Sequence, residues 1–287
     1  MFRECLQLKR GERVAVLDDG AQPALAAAMM SAAKELGGRP QLVKVRAGRA
    51  HSSPVPEARK ALLASDVVAA PTGASVSHSI EVTQARERGA RVASLPGVTE
   101  QHFLHSMGGD FAAIRALVQG LRRHLEKAKS VWIRTPAGTN VKLNVQGRAW
   151  FPEDGDLSRP GSLGNIPFGE VPCAPRETVG QGEIAFDWWG QEIKPSHHAR
   201  VYLRNGRISE WNPAAAPFVR ELQATGTCGF IIAEVSFGAN PYHKNPVGNI
   251  LYDEKIAGTV HLAFGMNTSL GGKNACGAHE DVVLLKP

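Results

Sequence analysis

The chain lacks Cys-x-x-Cys pairs, nucleotide-binding glycine signatures and any apolar run of bilayer length. Its four cysteines, Cys5, Cys173, Cys228 and Cys276, are scattered with no Cys-x-x-Cys spacing. Neither a zinc ribbon nor a thioredoxin-type motif is therefore encoded, and reduced thiols are expected. No stretch approaches the roughly 20 apolar residues that span hydrocarbon, so no membrane partner is expected. The opening residues, MFRECLQLKRGERVAVLDDG, also lack the apolar core of a secretory signal, and a cytoplasmic protein is expected. The first βα turn, Asp18-Asp19-Gly20-Ala21-Gln22-Pro23, has no Gly-x-Gly-x-x-Gly and sets two carboxylates where a pyrophosphate would approach. A Gly-x-x-x-x-Gly-Lys-Ser/Thr phosphate loop is absent as well. Dinucleotide and P-loop chemistry are thereby excluded, and the first half reads as a scaffold that can lend a pocket wall through loops such as Pro71-Thr72-Gly73-Ala74.

Charge is plentiful but uneven. The formal net charge is +6, with 19 Lys+Arg against 12 Asp+Glu before Ser130 and 14 against 15 from there on. Arg115, Arg122, Arg123, Lys127 and Lys129 share one expected helix without interleaved aromatics, the pattern of a solvated face rather than a nucleic-acid footprint. With 287 residues, 43% hydrophobic and 21% charged, the composition is that of a globular protein of two domains. In residues 1–129, strands at Arg13–Leu17, Gln41–Val45, Asp66–Ala70 and Arg91–Leu95 alternate with helices at Pro23–Leu36, Pro56–Ala64, His78–Arg88, Glu100–Met107 and Phe111–Lys129. This alternation predicts a parallel α/β domain. Residues 130–287 turn to short strands and tight turns: a hairpin of Ser130–Thr135 and Thr139–Val145, strands near Gly182–Trp188, Ala199–Leu203 and Cys228–Phe237, a turn at Asn205-Gly206, and one helix at Ala214–Ala224. A mixed α+β domain follows.

Chemistry-bearing residues concentrate in this second half. His279 and Asp281 stand two apart in a strand-like segment, so both side chains share one face. His261 lies in the apolar run Thr259-Val260-His261-Leu262-Ala263-Phe264, and the glycines between the two runs allow them to lie side by side. By itself a histidine in an apolar run is more often a hydrogen-bonded core residue than a ligand. Glu170 sits in a loop dense in glycine and proline, Gly161–Pro175, where it either performs a function or pairs with Arg176. Glu234, inside the apolar segment Cys228–Phe237, needs a partner, and a bound cation or a buried arginine would serve equally.

Taken in order, Gly164-Asn165-x-Pro167-x-Gly169-Glu170, Glu234 with Gly238-Ala239-Asn240-Pro241, Asp253-Glu254-Lys255 leading to Gly258-Thr259-Val260-His261, then Asn267, Gly271-Gly272 and His279-Glu280-Asp281 resemble the aminopeptidase T family of metallopeptidases. The resemblance implies a paired metal site formed by Glu170, Glu234, His261, His279 and Asp281, holding two divalent ions such as zinc, cobalt or manganese. It also implies a homodimer acting on a small-molecule or short-peptide substrate. Hydrolysis of an amide bond by metal-activated water would follow, with Glu170 or Glu234 moving the proton. The segment Asn267–Gly272 is similar to that of the related dihydroxypyridine dioxygenases, single-iron enzymes that open an aromatic ring. That alternative implies iron(II) and requires neither Glu170 nor His261, so the full set of five favours the hydrolase as the expectation.

Overall fold

The computed structural model describes residues 1–49, 53–77, 79–189, 198–285 and 287. Two compact units are seen, one formed by residues 1–111 and 155–168 and the other by residues 112–154 and 169–287. The sequence reading places a single boundary after residue 129.

In the first unit, β1 (Arg13–Asp18), β2 (Arg39–Lys44), β3 (Val67–Ala70) and β4 (Arg91–Ser94) alternate with α1 (Pro23–Glu35), α2 (Arg59–Ala64), α3 (Ile80–Glu87) and α4 (Glu100–Met107). β3 and β4 are buried at every position, as parallel strands covered on both faces must be. The helix boundaries follow local chemistry. Pro23 opens α1, and Gly37 beyond its end takes a left-handed φ of 80° that a side chain would resist. Ser79 and Thr99 cap α3 and α4 by accepting from the backbone N–H of Val82 and His102. His78, expected to begin α3, lies outside the described residues. Asp18 and Asp19 tie down the first turn by accepting from the N–H groups of Gly20, Ala21 and Gly73.

After α5 (Phe111–Leu125), β5 (Ser130–Arg134) and β6 (Asn140–Asn144) form the expected hairpin. The next segment departs from expectation. Gly161–Pro175, read as a loop because of its glycines and prolines, contributes β7 (Leu163–Asn165) and β8 (Glu170–Cys173). β7 completes the first sheet in parallel beside β4, giving the order β2-β1-β3-β4-β7.

The remaining strands are β9 (Gly180–Phe186), β10 (Trp188–Trp189), β11 (Ala199–Arg204), β12 (Arg207–Trp211), β13 (Ile232–Gly238), β14 (Val260–Gly265) and β15 (His279–Leu284), with helices α6 (Ala216–Ala224) and α7 (Ile250–Asp253). They build two antiparallel sheets in the second unit, ordered β12-β11-β9-β6-β5 and β10-β15-β14-β13-β8. Phe218 of α6 joins the two layers, packing edge-on against Phe186, Trp189 and Phe264.

The expectation of reduced thiols holds for Cys5 and Cys173, both buried and outside any disulfide, and fails for the other pair. Cys228 and Cys276 form a disulfide, their Cα atoms 5.6 Å apart across 48 residues of sequence. The β13-β14-β15 meander brings these distant positions together, which spacing alone does not reveal. Among the described residues no helix is long and apolar enough to cross a membrane.

Candidate metal centre

Strand register builds the site. In β14, Val260, Leu262 and Phe264 alternate with His261, Ala263 and Gly265, so one face carries core residues and the other the histidine and two small residues. Across β14, Ala263 pairs with Glu234 of β13 on one side and with Asp281 of β15 on the other. His261 pairs with Ser236, and Gly265 with His279. Glu234, Ser236, His261, His279 and Asp281 therefore share one face, with Ala263 as a low floor between the two carboxylates. Glu170, at the start of β8, pairs with Gly238 at the end of β13 and enters from the side.

Two glycines permit this layout by close approach. A Cβ on Gly238 would lie 2.2 Å from the Ile256 carbonyl oxygen. One on Gly265, whose φ is 105°, would lie 2.2 Å from the Ala278 oxygen.

All five residues singled out from the sequence converge. His261 Nε2 is 3.0 Å from Glu234 Oε1 and 3.3 Å from Glu170 Oε2. His279 Nε2 is 3.2 Å from the other Glu234 oxygen and 3.6 Å from Asp281 Oδ1. The arginine considered as a partner for Glu234 is not what it meets: its carboxylate lies between two imidazoles.

Four neighbours were not assigned roles from sequence. Lys255, fully buried, donates to Glu170 and to Glu254 Oε1 at 2.6 Å, and its Nζ lies 3.9 Å from Glu153. Ser236 Oγ donates to Glu170 Oε2 at 2.8 Å. The Asp253-Glu254-Lys255 string was visible as a motif, and an adjacent carboxylate and ammonium inside the apolar Ile250–Ile256 segment were its available signal. Asp253 fixes the approach by accepting from the N–H groups of Val247 and Gly248.

The electrostatics are those of a carboxylate excess. Burial disfavours charge on His261, but Glu170, the hydrogen bond to Glu234 and the charges of Glu254 and Glu234 push its pKa up to about 10. Burial likewise opposes charge on His279, and Asp281 with Glu234 raises it to about 10. Burial lifts Asp281 to about 7 against the pull of His279. Burial and the Glu170 charge lift Glu153 to about 8. Glu234 moves downward, because hydrogen bonds and charge from both imidazoles overcome its burial. Such a cluster takes up protons where a cation would otherwise balance it.

The donor geometry fits a divalent ion. Glu234, His279 and Asp281 each offer an atom within 4.8 Å of the others, as do Glu170, Glu234 and His261, and Glu254, His261 and Asp281. The two histidines differ in readiness. His279 Nδ1 lies 2.6 Å from the Met266 carbonyl oxygen, to which it donates, leaving Nε2 to face Glu234 and Asp281 as a ligand does. His261 Nδ1 is buried and has no hydrogen-bond partner among the described residues, so nothing comparable orients it. Side chains of His279 and Asp281 are 27% and 16% exposed against 2% for His261, which puts the accessible side of the cluster at β15.

An α/β scaffold thus carries a buried His, Glu and Asp donor set suited to a metal ion. Residues 1–190 match the family described as NicX, 2,5-dihydroxypyridine 5,6-dioxygenase, and the chain belongs to that family. The matched stretch includes Glu170 and ends before Glu234, His261, His279 and Asp281. Among solved structures, 2,5-dihydroxypyridine dioxygenase from Pseudomonas putida KT2440 is similar with a TM-score of 0.78 at 20% identity, covering 97% of this chain and 88% of that one. AmpT from Thermus thermophilus is similar with a TM-score of 0.70 at 16% identity, covering 98% and 89%. At these identities the likeness is one of fold. No curated protein matches. The family assignment corrects the order of the two expectations: the dioxygenase, held as the alternative, is the better supported.

Proposed function

We propose that the chain is a single-ion oxygenase that opens a hydroxylated aromatic ring of the dihydroxypyridine kind. Membership of the family carries the reaction class. The observation that carries the single ion is the unequal preparation of the histidines, with Nδ1 of His279 anchored on Met266 and that of His261 unpartnered among the described residues. In this reading Glu234, His279 and Asp281 hold the ion, and imidazole with carboxylates suits iron(II) or manganese(II). When bound, such an ion supplies the redox chemistry by which dioxygen and an electron-rich ring combine.

The chain's own residues do the rest. Asp281 and His279, on the exposed side, face the arriving substrate. Glu234 spans the site, one oxygen toward His279 and the other accepting from His261 Nε2. His261 is then a buried proton holder, its Nε2 proton shared with Glu234 Oε1.

A second reading, hydrolysis of a small amide with two ions, is supported by one specific feature: the two Glu234 oxygens divide between His261 and His279, as a bridging carboxylate would. The test is oxygen uptake with dihydroxypyridines and ferrous iron beside release of amine from aminoacyl amides with zinc, cobalt or manganese. The proposal expects the first on wild type, persisting in Glu170→Gln. Amine release that disappears in Glu170→Gln, without oxygen uptake, overturns it in favour of the hydrolase.

A further inference from the structure

The deep end of the cluster holds a cation that belongs to the protein. Lys255 Nζ sits between the carboxylates of Glu170 and Glu254, with Glu153 3.9 Å away, and the lysine has no exposed surface. Its backbone is pinned on both sides: the Asn240 N–H donates to the Lys255 carbonyl, and Asp253 caps the preceding turn. The ammonium is thus a cation held inside the cluster rather than a surface charge. Glu254 also lies within ligand distance of His261 and Asp281, so the carboxylates it engages are the same type that elsewhere in the cluster await an ion.

We propose that Lys255 is a positioning residue that occupies a cation position: its ammonium stands between Glu170 and Glu254 where a second divalent ion would otherwise bind, confining the exchangeable ion to Glu234, His279 and Asp281. An ammonium and a divalent ion compete for the same oxygens, and one covalently tethered 0% exposed cation is present at every moment. By holding Glu170 Oε1, Lys255 also turns Oε2 toward Ser236 and His261, so the proton-holding side of the site keeps one geometry. This inference rests on the metal-centre reading above and adds how many ions that centre accepts.

The experiment replaces Lys255 with methionine, which keeps length and bulk but not charge, and with alanine. Chelator-stripped wild type and variants are loaded with cobalt(II), and ions per chain and the visible spectrum are recorded alongside circular dichroism. One more ion per chain than wild type is expected in Lys255→Met, with a second set of cobalt bands. In Lys255→Ala, millimolar ethylammonium should displace the added ion and restore the wild-type count, which a merely structural lysine would not do. If the variants are unfolded without metal, cobalt should refold them, since an ion can take the ammonium's place. A folded variant with the wild-type count, or variants that stay unfolded in cobalt, overturns the proposal. Wild type that binds no ion sinks the underlying reading instead, so the two failures are distinct.

Discussion

Replacing Ala263 with valine tests whether register, rather than residue type alone, makes the site. Ala263 is fully buried and lies on the strand between those of Glu234 and Asp281. With strands about 4.8 Å apart, the two carboxylate-bearing backbones are about 10 Å apart, so their side chains must lean together over the alanine methyl. Two extra methyls there occupy the space into which the carboxylates lean. Overpacking of this kind costs about 1–3 kcal/mol, and the least strained response is for the carboxylates to splay. If only the lower end of that cost falls on the loaded state, affinity drops about fivefold, because 1.4 kcal/mol is a decade. Ala263→Gly is the control: it removes about 0.8 kcal/mol of buried methyl and loosens the strand by about 0.5–1 kcal/mol, but leaves the carboxylates free to converge. Calorimetric titration of chelator-stripped protein with cobalt(II) or iron(II), beside thermal unfolding of the stripped forms, separates the effects. Affinity in the valine variant within twofold of wild type would refute the argument.

Further outcomes follow from the same geometry. Without a bound ion, the raised pKa values of His261 and His279, each about 10, mean that their imidazolium contribution to stability is complete below the unfolded value of about 6.5 and fades as pH rises through 10. Ion binding at His279 Nε2 must expel the His279 proton, so affinity should climb by up to about tenfold per pH unit in that window; a flat pH dependence counts against ligation by His279. Breaking the Cys228–Cys276 bridge, which closes 48 residues, should lower stability by about 4 kcal/mol on chain-entropy grounds, read as the denaturation midpoint of Cys228→Ser with Cys276→Ser. An unchanged midpoint would mean that the bridge constrains nothing in the unfolded chain.

The first unit was legible because its pattern is local: buried runs such as Val67–Ala70, a proline at the start of α1 and a glycine after it say the same thing as the final fold. The two-residue spacing of His279 and Asp281 made one face of β15 readable too. What stayed hidden depends on distant partners. β8 is a strand only because Val171 and its neighbours pair with β13, which glycine and proline content cannot reveal. β13 begins at Ile232 rather than Cys228, because Thr227–Phe230 form a 3-10 turn joined by the disulfide to the segment before β15. Lys255 was seen in its motif but given no role, since its three carboxylates come from positions as distant as Glu153 and Glu170.

The central claim is that strand register has assembled a metal centre at Glu234, His279 and Asp281, and counting transition-metal ions per chain tests it most directly. Protein purified without chelators, then stripped and reloaded with iron(II) or manganese(II), should hold one tightly bound ion in wild type and none in His279→Ala or Asp281→Ala, with circular dichroism unchanged. A wild type that stays empty at saturating metal, or variants that retain the ion at wild-type affinity, would contradict the account.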